Sequence, residues 1–390
     1  MADDLLLLFL PQKNMRWIKI LPVLLFTASF VQAQDAETLY KEGMQLKKEN
    51  KSREAIDLFK KAIQLKPNYA EAIYETGWCN NDLKEYAAAM TALRKARTLW
   101  PTIPKVYFEL GYAFEKQNMY DSAITSLNEC LRLKPDYSLA YKELGTIAYI
   151  KEQYSSGLQH FAGYIQNAKS EIKDYLFWYR KGFMENAEKK FTEASASLQK
   201  SLLYKTDYIN TYLEIGFACN KLKQGDDAIA WYQKAMDLDT RSHIPYNGIA
   251  EVYRDTKKDM DMAMSWYKKA LSVKTDERKA CFGMGYCLNT KEKFSEAIPY
   301  FEKAIQQEPT YTAAFVELGY SYLKIGRDND ALKQFEKALS LYPKNENARY
   351  YSGLVYISQK NKTKAQQMVD ELKVLSSKNA AGLQEKVNKM

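Results

Sequence analysis

Every 34 residues this chain returns to the same pattern of small side chains, and that period constrains its fold more than any single residue does. Numbering each unit from one, with the first starting at Ala36, position eight reads Gly43, Gly77, Gly111, Gly145, Gly182, Gly216, Ala250, Gly285, Gly319, Gly353. Position twenty reads Ala55, Ala89, Ala123, Gly157, Ala194, Ala228, Ala263, Ala297, Ala331, Ala365, with one extra residue ahead of it in the seventh unit. Two small residues per unit, locked in phase, predict two helices packed at close range. The period runs from Ala36 to about Asn379. Such a stack has no central core, because each unit buries its apolar stripe only on its neighbours.

The first unit carries Leu39, Gly43, Leu46, Ala55, Phe59, Ala62 and Pro67; the ninth carries Phe315, Leu318, Gly319, Tyr322, Ala331, Phe335, Ala338 and Pro343. At these spacings the chain resembles the tetratricopeptide repeat (TPR) family. The resemblance implies an all-α fold: a right-handed superhelical solenoid of about ten helix-turn-helix repeats over residues 34–379. Ala380–Met390, with Leu383 and Val387 four apart, is expected to form a short capping helix.

The resemblance also implies a function. In this family positions two, five, nine and twelve of the first helix line a concave groove that holds a protein or an extended peptide. Here position five offers Tyr40, Tyr74, Phe108, Tyr179 and Phe282, and position nine offers Trp78, Tyr112, Phe183, Phe217, Tyr286 and Tyr320. Positions five and nine are one helical turn apart and share a face. Position twelve adds Asn81, Asn186, Asn220 and Asn289, each able to donate and accept toward a peptide backbone. The chaperone-tail members of the family use Lys at five followed by Asn at nine. Lys142 is followed instead by Thr146, so that mode is not expected.

Two stretches depart from the period. Unit four has Gly157 and Tyr164 in small-residue slots, with Ile172 to Asp174 as extra residues before unit five, which marks the weakest junction. Unit seven has its extra residue somewhere in Asp255 to Met262, expected as a loop adjustment.

The net charge of +9 would suit an acidic partner, but lysine recurs at position twenty-six (Lys61, Lys95, Lys200, Lys234, Lys269, Lys303, Lys337), a solvated outer face. No nucleic-acid partner is expected. Residues 1–33 read as a signal peptide or an N-terminal anchor: Met15, Arg16 and Lys19 are the basic start, Ile20 to Phe30 the apolar stretch, and Val31-Gln32-Ala33 the cleavage site. Asp3 and Asp4 fit this poorly and make Met15 an alternative start. The expectation is export to the periplasm or cell envelope of a bacterium, with membrane attachment only if the segment stays uncleaved. The oligomeric state is not legible.

Five cysteines fall mainly on packing stripes and read as buried thiols. The two histidines, His160 and His243, lack partners at ligand spacing, and no phosphate loop or zinc motif appears. No catalytic residue, cofactor or metal is expected. An alternative to a protein scaffold is a carbohydrate-binding groove, with Tyr74, Trp78 and Tyr112 as stacking platforms and Glu71 and Glu115 as the available carboxylates.

Overall fold

The computed structural model describes residues 35–390, so the signal or anchor reading of residues 1–33 lies outside the described residues. All regular structure among the described residues is helical. The chain divides into two compact units, one ending at Ile172 and the other beginning at Lys173. The boundary falls on the extra residues that precede repeat five. There Asp174 caps the helix Tyr175–Ala187, its Oδ1 accepting from the amides of Leu176 (3.0 Å) and Phe177 (3.2 Å). The side chain of Asp174 thus fills the role of an N-cap.

The unit ending at Ile172 holds repeats one to four. The first helices cover 35–48, Ala70–Asp82, Pro104–Lys116 and Ser138–Ile150; the second cover Ser52–Leu65, Tyr86–Leu99, Tyr120–Leu133 and Tyr154–Asn167. Gly157 does not interrupt its helix and is buried. The unit beginning at Lys173 holds repeats five to ten, from Tyr175–Ala187 to Lys362–Val374, and a last helix, Asn379–Asn388. That last helix sets Leu383, fully buried, against Gly353, and also buries Val387.

The recurring glycine has a specific partner. A Cβ built at position eight would lie 2.7 Å from Phe59 at Gly43, 2.5 Å from Leu93 at Gly77 and 2.2 Å from Phe161 at Gly145. Each partner is the position-twenty-four side chain of the same repeat, fully buried. Positions eight and twenty-four are equidistant from the turn between the helices, so this contact makes the pair antiparallel. The turn closes in the same way each time. Residue fifteen takes a positive φ (Asn50, Lys84, Asn118, Glu152, Lys189, Lys223, Glu292, Lys360, and Gly326 in repeat nine), and the next amide reaches back to residue eleven, as Glu85 N–H does to the Asn80 carbonyl at 2.8 Å. This is the six-to-one bond of a helix C-terminus ended by a left-handed residue.

Repeat seven solves its extra residue differently from the expected loop. After the helix Ile244–Val252 the chain continues through a π-helical turn, Tyr253–Lys257, and only then reaches the left-handed residue, Lys258. A π turn absorbs one residue without ending the helix. It leaves Arg254, at position twelve, half-buried, with Nη1 donating to the Tyr267 hydroxyl at 2.9 Å and Nε and Nη2 donating to the Asp255 carboxylate at 2.6 and 2.8 Å.

Candidate functional site

The structure separates the fifteen candidate groove residues into three kinds. Four of the five position-five rings pack against the aromatic residue that ends the same repeat, and Tyr74, whose repeat ends in Ile103, lies 6.4 Å from Trp100 instead. Tyr40 meets Tyr69 at 5.2 Å between centroids, Phe108 meets Tyr137 at 5.1 Å, Tyr179 meets Tyr208 at 5.0 Å and Phe282 meets Tyr311 at 5.0 Å. Tyr74, Phe108 and Tyr179 are buried by this packing, while Tyr40 and Phe282 are partly buried. These rings hold one repeat to the next, each pair worth about 1 kcal/mol beyond its area.

The position-nine rings stay partly open. Trp78, Tyr112, Phe183, Phe217 and Tyr320 are half-buried and Tyr286 is 38% exposed. Three of them lean edge-on against the ring at position seventeen of the preceding repeat: Tyr112 on Tyr86, Phe217 on Phe191, and Tyr320 on Phe294. One face of several rings carries a cation. Lys47 Nζ lies 3.5 Å over Trp78, Lys116 Nζ 4.9 Å over Tyr112, and Lys105 Nζ 4.1 Å over the buried Tyr74. A sugar stacking on those faces would have to displace an ammonium.

The position-twelve asparagines are buried, and their amides are engaged within the fold. Asn81 Nδ2 donates to the carbonyl (3.0 Å) and Oε2 (2.8 Å) of Glu109, Asn186 Nδ2 to the same two atoms of Glu214 (3.0 and 2.8 Å), and Asn289 Nδ2 to those of Glu317 (3.3 and 3.1 Å). Asn220 accepts from the Thr256 hydroxyl at 2.7 Å. In repeat one the same place is taken by Lys47, which pairs with Glu75. Position twelve of one repeat therefore clamps the carboxylate at position six of the next. This pairing is what the sequence reading missed; its signal was available, since Asn and Glu recur 28 residues apart in three places.

Burial acts on these carboxylates. Desolvation pushes Glu109 up to about 7 and raises Glu214 and Glu317, opposed in each case by the asparagine hydrogen bond. Asn81 and Asn186 keep Oδ1 buried with no hydrogen-bond partner, as does Asn247 at position five of repeat seven.

In the unit beginning at Lys173, repeats five to eight line an open cleft of about 940 Å³, mostly with first-helix residues. Phe183, Phe217, Leu213 and Ile244 form its apolar part, and Asn186, Asn247, Glu214, Glu251 and Glu277 its polar part. A volume of this order suits a sizeable ligand group. All five cysteines are buried free thiols, and desolvation pushes Cys130 up to about 12 and Cys79, Cys281 and Cys287 up to about 11, which leaves them protonated and unreactive. Among the described residues no three His, Cys, Asp or Glu side chains converge on a metal position, and no helix is long and apolar enough to cross a membrane.

Family models described as tetratricopeptide repeat match residues 40–103, 104–137, 209–241, 245–277, 279–311 and 312–345, more than half of the chain. No curated protein matches it. Among solved structures it is similar to yeast Tom70, with a TM-score of 0.51 and 15% identity over 91% of this chain and 96% of that one. It is also similar to the Cut9-Hcn1 hetero-tetramer of APC/C, with a TM-score of 0.50 and 12% identity over 97% of this chain and 96% of that one. YrrB, described as a TPR protein with an unusual peptide-binding site, shares 23% identity at a TM-score of 0.41 over 48% of this chain and 97% of its own. At these identities the likeness is one of fold.

Proposed function

Since this chain belongs to the tetratricopeptide repeat family, we propose that it is a non-catalytic scaffold holding a protein partner along the first-helix face that its position-nine rings line. The observation that carries this is the contrast in exposure between two sets of aromatic residues. The position-five rings are spent on packing, whereas Trp78, Tyr112, Phe183, Phe217, Tyr286 and Tyr320 keep surface open at every repeat that has one. Aromatic rings held rigid by a neighbour and partly open to solvent are the usual anchors of protein interfaces.

The test uses one ring from each compact unit. With the partner first captured on the immobilised chain and then titrated, Tyr112→Ala and Tyr286→Ala are each expected to weaken binding by about 2 kcal/mol, roughly thirtyfold in Kd. Tyr286, already 38% exposed, can be removed with little loss of packing, and thermal melts of both variants should stay near wild type. Undiminished affinity in both would place the partner on another face.

We further propose that the scaffold works outside the cytoplasm, on the strength of the basic start, apolar stretch and cleavage site over residues 15–33. Sequencing the amino terminus of the native protein is expected to begin at Gln34. A chain that retains Met15 to Ala33 would instead be anchored by that segment.

A further inference from the structure

One place in the row of open rings is held by an acid. Position nine reads Phe183, Phe217, Tyr286 and Tyr320 in repeats five, six, eight and nine, but Glu251 in repeat seven. Glu251 lines the cleft together with Phe183 and Phe217, where Leu213 and Ile244 complete the apolar wall. Its carboxylate makes neither a hydrogen bond nor an ion pair among the described residues, and its oxygens are not sealed from solvent. Solvent therefore answers that charge.

The charges around it act without touching it. In the π turn that follows its helix stand Arg254 and Asp255, and Arg254 is spent on the Asp255 carboxylate and the Tyr267 hydroxyl. The first helices on either side bring Lys221, whose Nζ lies 5.2 Å over the Phe217 ring, and the exposed Lys279. From the second helices the hydroxyls of Tyr232 and Tyr267 feel its charge, and Glu214, Glu277 and His243 share the cleft. Desolvation is the largest influence on the Glu251 carboxyl and raises it; Arg254, Lys279 and Lys221 pull it down, and Asp255 opposes them. A charged side chain of either sign meets its like in this cleft, ammonium groups of Lys189, Lys221 and Lys279 at the rim or carboxylates within. An uncharged occupant meets only the rings.

Resting on the scaffold reading, we propose that the cleft receives an uncharged apolar stretch of the partner and that its seating adds a proton to Glu251, so that the scaffold grips more tightly as pH falls. A segment lying across the rings covers Glu251 and removes the solvent that its charge depends on, and an apolar stretch brings no cation in exchange. The sign follows from linkage. Covering the carboxyl lifts its pKa in the bound state above that in the free state, so binding takes up a proton between the two values. Below both, affinity is at its full value; above both, it is reduced about tenfold for each unit of difference. Rings alone would bind alike at every pH.

The full chain, immobilised, is challenged with randomised twelve-residue peptides built only from alanine, leucine, phenylalanine, serine and asparagine, with both ends blocked. Such a pool has no titrating group, so any pH dependence belongs to the protein. Retention at about pH 5 is expected to exceed that at about pH 9 by about tenfold, the effect of a lift of about one unit in the carboxyl. Glu251→Gln, folded by circular dichroism, should retain the pool equally at both, and Glu251→Met serves if the glutamine variant does not fold. His243, whose pKa burial lowers, stays in both variants and so does not account for a difference between them and wild type. Retention that is equal at the two pH values and lost on Phe217→Ala overturns the proton linkage and leaves the groove reading standing. A dependence that is reversed, or that persists in the Glu251 variants, overturns it also. Retention at neither pH overturns the cleft as an apolar site, while the groove reading is then judged separately by the captured partner and the Tyr112 and Tyr286 variants.

Discussion

Tyr267→Ala is expected to destabilise the unit beginning at Lys173 by about 3–5 kcal/mol, the range for removing a fully buried aromatic ring. Tyr267 has no exposed surface and is the largest fully buried side chain of its unit. It stands at the second-helix position that packs on glycine elsewhere, but repeat seven has Ala250 at position eight. Its ring lies instead against Gly283 of the next repeat, where an added Cβ would come within 2.1 Å of Cζ. Its hydroxyl accepts from Arg254, which the π turn brings inward. One side chain therefore links the second helix of repeat seven, its π turn and the first helix of repeat eight. In a linear array such a loss weakens a nearest-neighbour interface rather than a shared core, so the repeats on either side should begin to melt apart. Tyr267→Phe keeps the ring and removes only the acceptor, at a cost of about 1 kcal/mol. Denaturant unfolding of the full chain, followed by hydrogen exchange across Met260–Val273 and Arg278–Thr290, measures both. A loss under about 1 kcal/mol for the alanine variant would show that the repeats close over the gap.

The same residue shows what could be read in advance and what could not. The period of Gly43 to Gly353 was enough for helix pairs, their number and the family, because close packing at a fixed interval admits few architectures. It was not enough to say what each glycine touches. Tyr232 and Tyr267 are each matched by a glycine at position six of the following repeat, Gly248 and Gly283, where Glu75, Glu109, Glu214 and Glu317 stand elsewhere. That exchange is visible in the chain only once the partner of position twenty-four is known. The π turn after Val252 was hidden for another reason, since an extra residue in sequence is silent on whether the helix stops or widens. For the candidate site, position-specific exposure was the missing quantity. A ring at position five and a ring at position nine look alike on one helical face, yet Phe108 is covered by Tyr137 while Tyr112 is not covered by its counterpart, because the residue ending the repeat reaches only one of them. Asn81 and Asn186 looked like free amides because their carboxylate partners lie 28 residues away.

Those clamped carboxylates make stability depend on pH in an unusual direction. Glu109 is 8% exposed, and desolvation, its largest influence, carries its pKa from 4.5 to about 7. The Asn81 hydrogen bond and Lys47 pull it down, and Glu75 and Glu143 push it further up. Between these two values the folded chain holds the proton and the unfolded chain has released it, so the folded state binds more protons and stability falls as pH rises. Above about pH 7 the full cost, about 3 kcal/mol at 1.36 kcal/mol per unit, is in place. Glu109→Gln removes the charge and leaves an oxygen to accept from Asn81 Nδ2. It also brings an amide N–H to a site where Asn81 Oδ1 has no partner. The variant is therefore expected to match wild type near about pH 4 and to exceed it by about 3 kcal/mol near about pH 8 in the unit ending at Ile172. Urea unfolding at the two pH values reads the difference, and the subtraction cancels the titrating groups that do not act on Glu109. A variant less stable than wild type at the higher pH would mean that the charge–amide hydrogen bond outweighs desolvation. The Asn–Glu clamp would then be a source of stability at neutral pH rather than a polar contact kept at some cost.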